Sequence, residues 1–352
     1  MGRSSPRAEV APTRGARALL TMKHEIRVTD LFCGVGGWST AARRVGLGVA
    51  VALDLDPTAI EWHRRNHPRT FHLERNALDV DWGALAKIAG TRGLLLASPP
   101  CQGHSSGSRP ARRGTGGSHK PDAKKAARRA DTQRAAAWAI PDALRHLQPR
   151  AALVENVAGF LAWPDYSAWS EACEGYGYHL SAAVLNAADY GAPTDRARAI
   201  VFLHEKEPEP FEGSVKLPRA RVGDVLDFDH DPRNRWSTVA DKPEWTRELI
   251  RRKQREAGIS RGILNNVGDG VRLRSLDDLA PTLTTKSGSQ LMLVDGDRAR
   301  ILNPLELARI MGWRTSDRLK LPPQRALAGK LVGNAISPNL AEACIRYTLN
   351  NI

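Results

Sequence analysis

Four short apolar runs follow one another along the first half of the chain, and the segments between them are long enough to hold a helix each. The runs cover residues 26–32, 49–53, 93–97 and 151–154. Because runs of this length suit buried strands and the gaps suit crossover helices, the pattern predicts βαβ units. The predicted fold class is therefore α/β, with a parallel sheet whose carboxyl ends share one edge, where ligand sites gather.

Helix signals fall where the strand pattern leaves room for them. Residues 58–67 follow an Asp-Pro start, and residues 131–147 are rich in Ala, Arg and Leu and end before Pro149. Two further helices are predicted late in the chain, at 303–312 and from residue 338 to the end.

The same pattern divides the chain into four stretches. Residues 1–23 alternate Ser, Pro, Arg and Gly without a period, which predicts a basic, disordered tail. Residues 24–207 carry the strand and helix pattern. Residues 208–280 lose it and form an inserted, less regular region, and residues 281–352 return to a globular pattern. Within the insert, residues 247–255 hold five bases and one acid at helical spacing.

Charge adds a partner to this picture. The chain has 52 Lys and Arg residues against 38 Asp and Glu, a net charge of +14. Residues 103–130 alone contain eight bases and one acid. Such a concentration predicts a polyanionic partner such as nucleic acid, although a merely solvated loop is the alternative.

Two function classes are not supported by the composition. No apolar run approaches the roughly 20 residues that a membrane span needs, so we expect a cytoplasmic protein that does not contact membranes. The cysteines lie far apart without a Cys-x-x-Cys pair, so neither a metal site nor a disulfide framework is predicted. The four are Cys33, Cys101, Cys173 and Cys344.

The first strand leads into a glycine-rich turn with the sequence DLFCGVGG. Glycines at such a turn allow the backbone to approach a ligand at the start of a helix. Asp54 ends the second strand, 20 residues after Gly34, where an acid accepts hydrogen bonds from ribose hydroxyls. These features predict a nucleoside cofactor, and the spacing leaves NAD and S-adenosylmethionine both open.

Reactive side chains follow the next strands. Cys101 comes directly after a Pro-Pro corner, and the bases beyond it favour its thiolate, which makes it a candidate nucleophile. Glu155 ends the neighbouring strand, where burial favours the protonated, hydrogen-bond-donating form. Arg196 and Arg198 have the spacing that directs both guanidinium groups to one face of a strand.

With these residues in order, the sequence resembles the DNA (cytosine-5)-methyltransferase family. The ordered blocks that carry the resemblance are DLFCGVGG, ALDLD, SPPCQGHS, ENVAGF, YGAPTDRARAIVFL, APTLTT, RILNPLELARIMGW and GNAISPNLA. The resemblance implies a Rossmann-like S-adenosylmethionine-dependent methyltransferase sheet with a smaller inserted target-recognition domain. In its terms, residues 24–207 are the catalytic domain, 208–280 the target-recognition region, and 281–352 the returning C-terminal motifs.

The resemblance also implies a role for each matching residue. Cys101 would add to C6 of a flipped-out cytosine, Glu155 would hydrogen-bond N3 and the amine, and Arg198, with Arg196 nearby, would contact the base carbonyl. The methyl donor would be S-adenosyl-L-methionine. Its pocket would be formed by Phe32, Gly34, Gly36, Asp54 at the ribose, Asn76 at the adenine, Pro100, and Asn334 at the floor.

The implied substrate is double-stranded DNA, held in part by the basic stretch at 103–130 as it closes over the base. The bases proposed for this contact are Arg112, Arg113, Lys124 and Lys125. A monomer with a cognate restriction endonuclease is the partner arrangement implied.

Three alternatives stay open at this point. A tRNA cytosine methyltransferase would share the chemistry, but the chain lacks the Cys-Phe-Thr tripeptide of that branch. A silent DNA-binding relative would not need Cys101, Glu155 and Arg198 together, and an NAD oxidoreductase leaves the thiol and acid unexplained. Two departures from the family pattern, Thr194 and Ser337, remove no group assigned to chemistry.

Overall fold

The computed structural model describes residues 26–100, 134–211, 216–227, 234–265 and 271–352. The predicted tail, the predicted nucleophile and the basic stretch lie outside the described residues. The residues concerned are 1–23, Cys101, Arg112, Arg113, Lys124 and Lys125.

Seven strands form the larger sheet, in the order β3-β2-β1-β4-β5-β7-β6. All neighbours from β3 to β5 pair in parallel, and β7 runs antiparallel to both β5 and β6. The predicted parallel α/β sheet is therefore confirmed, with one reversed strand. The strands are β1 Arg27–Leu31, β2 Gly48–Asp54, β3 Phe71–Glu74, β4 Leu94–Ala97, β5 Ala151–Asn156, β6 His179–Asn186 and β7 Ala197–His204.

Five strands form a smaller antiparallel sheet, in the order β10-β9-β11-β12-β8. The strands are β8 Ser237–Thr238, β9 Arg261–Asn265, β10 Leu273–Arg274, β11 Leu291–Asp295 and β12 Arg298–Ile301. Three of them lie inside the predicted recognition region of 208–280. The other two come from the segment that follows it.

Helices cover the larger sheet and join it to the smaller one. They are α1 Gly37–Arg44, α2 Pro57–Asn66, α3 Trp82–Ala89, α4 Ala139–Leu147, α5 Tyr166–Glu174, α6 Glu244–Ala257, α7 Ser287–Gln290, α8 Pro304–Ile310, α9 Arg325–Asn334 and α10 Pro338–Asn350. Buried apolar residues fill both faces of the larger sheet, as expected for strands that are covered on two sides. No helix among the described residues is both long and apolar enough to cross a membrane.

Most predicted helices are observed within a residue or two, because their start signals act locally. Asp56 caps α2 by accepting from the backbone N–H of Thr58, with Pro57 as the first helical residue. Asn303 caps α8 in a reciprocal arrangement with Glu306. The prediction of one helix over 131–147 is wrong in part.

In that segment a 3-10 turn at Ala136–Trp138 precedes α4. Pro141 has no N–H to donate to residue 137, so a continuous α-helix through this point loses a hydrogen bond.

Strands β3 and β6 were not predicted. Both are edge strands with mostly half-exposed or exposed side chains; β3 has only four residues, FHLE, with no apolar run, and the apolar run in β6 is confined to residues 182–185.

Candidate active site

A cavity of about 540 Å³ opens at the carboxyl ends of β1 and β4. The chain leaves β1 toward β2 and β3 on one side and returns to β4 on the other, so these two ends border a crevice. Most of the predicted site residues within the described part of the chain line it. These are Phe32, Gly34, Asp54, Asn76, Pro100, Glu155, Arg196, Arg198 and Asn334.

The glycine turn forms the wall of the cavity next to β1. Phe32 and Gly34 both have positive φ values, 57° and 54°, and Gly36 has a φ of 97°. A Cβ atom on Gly36 would lie 2.5 Å from Nε2 of His67, so a side chain does not fit there. Gly36 does not itself line the cavity, and it shapes the turn that does.

Asp54 ends β2 with its carboxylate held by two backbone groups. The N–H of Gly34 donates to Oδ2 and the N–H of Asp56 donates to Oδ1, each at 2.9 Å. Burial raises the pKa of Asp54, and these two hydrogen bonds act against that rise. Each oxygen keeps a lone pair for a further donor, so the carboxylate fits the paired hydroxyls of a ribose.

Other cavity residues fit the remaining parts of a nucleoside cofactor. Asn76 lies at the start of a short 3-10 turn, and its side-chain oxygen accepts from the N–H of Leu78 at 3.2 Å. Leu55 and Leu78 are large apolar side chains with 66% and 42% exposure at the same cavity. Exposed apolar groups beside a polar acceptor suit the faces and edge of an adenine.

The segment after β4 is held against the cavity by two side chains. The indole N–H of Trp38 donates to Oγ of Ser98 at 3.0 Å, and the amide of Asn156 donates to the carbonyl of Pro99 at 3.2 Å. Pro100, which precedes Cys101 in the sequence, therefore lines the same cavity as Glu155.

Glu155 and Arg198 form a shielded pair. Nε of Arg198 lies 3.0 Å from Oε1 of Glu155, and their side chains are 12% and 6% exposed. They come from the adjacent antiparallel strands β5 and β7. Both residues line the cavity, so the pair places a carboxyl there with a guanidinium beside it.

Arg196 has a different environment from Arg198. Its guanidinium is buried and donates to three backbone carbonyls, those of Leu283, Gly333 and Ala335, at 2.9 to 3.1 Å. It therefore joins the start of β7 to the end of α9. The spacing predicted that both guanidinium groups face one side of a strand; both arginines line the same cavity, but Arg196 lies before β7 and has separate partners.

One described cysteine also lines the cavity. Cys33 is buried, and burial together with the charges of Asp54 and Asp30 raises the pKa of its thiol well above its usual range. A thiol held in this protonated form is a poor nucleophile.

Sequence reasoning missed a charged pair at the cavity. Nζ of Lys330 on α9 lies 2.7 Å from Oδ2 of Asp56, and both residues line the cavity. Asp56 belongs to the ALDLD block, so its position was visible, but its partner lies 274 residues away.

Comparison with known proteins shows the family. The model of the C-5 cytosine-specific DNA methylase family matches residues 26–349. The type II methyltransferase M.XorII of Xanthomonas oryzae pv. oryzae is 28% identical over 218 residues, 58% of this chain and 47% of that protein. The chain thus spans about half the length of this relative. M.HhaI of Haemophilus parahaemolyticus is 25% identical over 348 residues, 93% of this chain and 94% of that protein.

Solved structures share the fold. A putative DNA modification methyltransferase encoded within a prophage of E. coli has a TM-score of 0.67 at 21% identity, over 93% of this chain and 99% of that one. The Dnmt2 methyltransferase of S. pombe has a TM-score of 0.64 at 18% identity, over 92% and 98%. The family match, which covers nearly the whole chain, shows that this protein belongs to the C-5 cytosine-specific DNA methylases.

Proposed function

We propose that this protein transfers a methyl group from S-adenosylmethionine to C5 of a cytosine in double-stranded DNA, with Cys101 as the nucleophile. S-adenosylmethionine is the methyl donor of this family. The observation that carries the proposal is the shared cavity. The residue before Cys101, the Glu155–Arg198 pair and the Asp54 carboxylate all line it.

The proposed reaction begins with the thiolate of Cys101. Its sulfur bonds to C6 of the base, and the electron pair displaced toward N3 is met by a proton from the carboxyl of Glu155. Arg198 holds that carboxyl in place through Nε and stabilises its ionised form once the proton has left. Arg198 is positively charged and close to this carboxyl. It therefore stabilises the carboxyl most in the transition state, as negative charge develops on it.

The second half of the reaction restores the ring. When bound, S-adenosylmethionine supplies an electrophilic methyl group, which C5 takes up as the ring becomes electron-rich. A base then removes the proton from C5, and the bond between sulfur and C6 breaks. Asp54 and the turn at Gly34 would hold the cofactor through its ribose, in the cavity that Glu155 also lines.

The first test is the change of Cys101→Ala. We expect loss of methyl transfer, because no other thiolate is available at the site, with little change in cofactor and DNA affinity. Cys173→Ala is the matched control, since Cys173 is a buried residue of α5 and does not line the cavity. Normal turnover by the Cys101→Ala variant would contradict the proposal.

A second measurement uses DNA in which the target cytosine carries fluorine at C5. The last proton removal is then blocked, so a covalent protein–DNA adduct should accumulate with the native chain and not with Cys101→Ala. Transfer RNA with the same base provides the comparison for the alternative substrate. A faster reaction on the tRNA would replace DNA by RNA as the substrate and leave the chemistry unchanged.

A further inference from the structure

Four polar side chains form a hydrogen-bonded series behind the glycine turn, outside the cavity. Asp30 on β1 accepts from Oγ of Ser39 at 2.6 Å, and Oγ of Ser39 lies 3.0 Å from Nε2 of His63. Nδ1 of His63 lies 2.8 Å from Nε2 of His72 on β3. The first three residues are fully buried, whereas His72 is partly exposed at the edge of the sheet.

This hydrogen-bonded series touches the turn that shapes the cofactor site. The ring of His63 lies against that of His67, with centroids 4.6 Å apart. His67 in turn occupies the space beside Gly36, where a Cβ atom would meet its Nε2 at 2.5 Å. A change in this hydrogen-bonded series therefore reaches the backbone of the turn at Gly36 through the ring of His67.

Asp30 also acts on the cavity through its charge. It accepts from the hydroxyl of Ser39, at the start of α1, and its Oδ1 has no hydrogen-bond partner among the described residues. Its charge raises the pKa of both Cys33 and Asp54, which line the cavity. A cation in that cavity would be attracted by the same charge.

The distances permit two complete hydrogen-bond arrangements. With Asp30 ionised, Nε2–H of His72 donates to His63, Nε2–H of His63 donates to Ser39, and the hydroxyl donates to the carboxylate. With Asp30 protonated, every donor reverses and His72 becomes the final acceptor. The two arrangements differ by one proton, which enters at Nδ1 of His72 and ends on Asp30, and both rings are neutral in each.

The electrostatics agree with neutral rings and a titrating acid. Burial raises the pKa of Asp30 to about 7, against the lowering effect of the bonds from Ser39. Burial also lowers the pKa of His63 to about 3, and burial and neighbouring charges lower that of His72 to about 4. Near neutral pH the hydrogen-bonded series therefore gains its proton at the carboxyl of Asp30.

We propose that His72, His63 and Ser39 form a proton wire between solvent and Asp30, and that the charge of Asp30 sets the affinity of the cavity for its cationic cofactor. The inference rests on the proposed function, because S-adenosylmethionine carries a positive sulfonium whereas the product S-adenosylhomocysteine has a neutral sulfur. Asp30 is a positioning residue in this scheme, since it acts on the site without lining it.

Other charged groups face the wire from neighbouring elements. From α1 and α2 these are the guanidinium groups of Arg43 and Arg64, and from the 3-10 turn before α9 the carboxylate of Asp317. Asp54 on β2 also has a raised pKa. Its proposed ribose contact is common to both ligands, so it cancels largely in a ratio of their affinities.

The test is calorimetric titration of the native chain with each ligand from about pH 5.5 to 7.5. We expect the ratio of S-adenosylmethionine to S-adenosylhomocysteine affinity to rise about tenfold as Asp30 ionises, the effect of one nearby charge in a partly shielded site. Asp30→Asn should abolish the rise. Ser39→Ala should move the rise to higher pH. The hydrogen bond from Ser39 stabilises the ionised form of Asp30, so its loss raises the pKa of that acid.

The matched control is Asp56→Asn. Asp56 lines the cavity too, but its pKa is lowered by its bonds with Lys330 and Thr58, which outweigh its partial burial, so it does not titrate in this range. That variant should keep the rise.

Three outcomes overturn the inference: a flat ratio in the native chain, a rise that persists in Asp30→Asn, or an unshifted rise in Ser39→Ala. Ser39→Ala keeps the test usable if Asp30→Asn does not fold. If neither ligand binds the native chain, the proposed function itself fails, which is a separate result from a flat ratio with both bound.

Discussion

At the scale of single residues, Arg196 and Arg198 show how little separates a structural group from a candidate catalytic one. They are two positions apart and share a cavity, yet Arg196 binds backbone carbonyls while Arg198 binds the carboxyl of Glu155. The difference lies in what packs against each guanidinium. Segments from the C-terminal part of the protein surround the guanidinium of Arg196. Glu155, near the end of β5, contacts the guanidinium of Arg198.

The two arginines are expected to fail differently when each is replaced by methionine. Arg196→Met leaves three backbone carbonyls without their donor, so it should lower the free energy of unfolding by about 3 kcal/mol or more. Arg198→Met should change stability less and reduce the maximal rate of methyl transfer about a hundredfold or more. Urea unfolding and single-turnover rates distinguish them, and equal stability losses would contradict the assignment.

At the scale of elements, the larger sheet holds the site at its edge while connecting segments supply the groups. Trp38 from α1 and Asn156 from β5 fix the residues just before Cys101. The basic stretch at 103–130, which lies outside the described residues, stays a predicted DNA contact. Its charge pattern is the evidence for this role.

Neutralising Arg112, Arg113, Lys124 and Lys125 tests that role. The variant should bind all DNA sequences more weakly and flatten the slope of log affinity against log salt by up to about four phosphate equivalents. The control neutralises Lys87 and Arg145, exposed bases on α3 and α4, and should keep the native slope. An unchanged slope in the fourfold variant would remove these bases from the DNA contact.

At the scale of the whole molecule, buried histidines link stability to pH. Burial, as the largest cause, lowers the pKa of His63, His67, His72 and His204, so the folded chain holds these rings neutral while the unfolded chain protonates them below about pH 6.5. Asp30 acts in the opposite sense between its ordinary pKa of 3.8 and about 7.

The net effect on stability follows from counting protons. Below pH 6.5 the unfolded chain binds more, so the free energy of unfolding falls as pH falls. Setting the buried His63, His67 and His204 against Asp30 leaves about two protons, or roughly 2.7 kcal/mol per pH unit. The half-exposed His72 adds less because solvent screens it. Urea midpoints at about pH 7, 6 and 5 measure the slope, and a rise in stability on acidification would contradict it.

His204 offers a variant for the same measurement. Both of its ring nitrogens lack a hydrogen-bond partner among the described residues, and its ring packs against Phe202 and Tyr347. His204→Phe should therefore raise stability by about 1 kcal/mol or more and reduce the slope below pH 6.5. Lower stability at pH 7 would count against this account.

The sequence by itself determined the class of fold and the family. Buried parallel strands are apolar along their length, and the turns at their ends carry motif blocks, so both are readable from neighbouring residues. Helices with local caps, such as α2 and α8, were readable for the same reason.

Only the tertiary structure decided which groups meet. The carbonyls that bind Arg196 lie 87 to 139 residues away from it, and the smaller sheet takes two strands from beyond the predicted insert. The wire from His72 to Asp30 joins β3, α2, α1 and β1. Contacts of this kind depend on how elements pack, because hydrogen bonds between distant segments have no periodic signature in the chain.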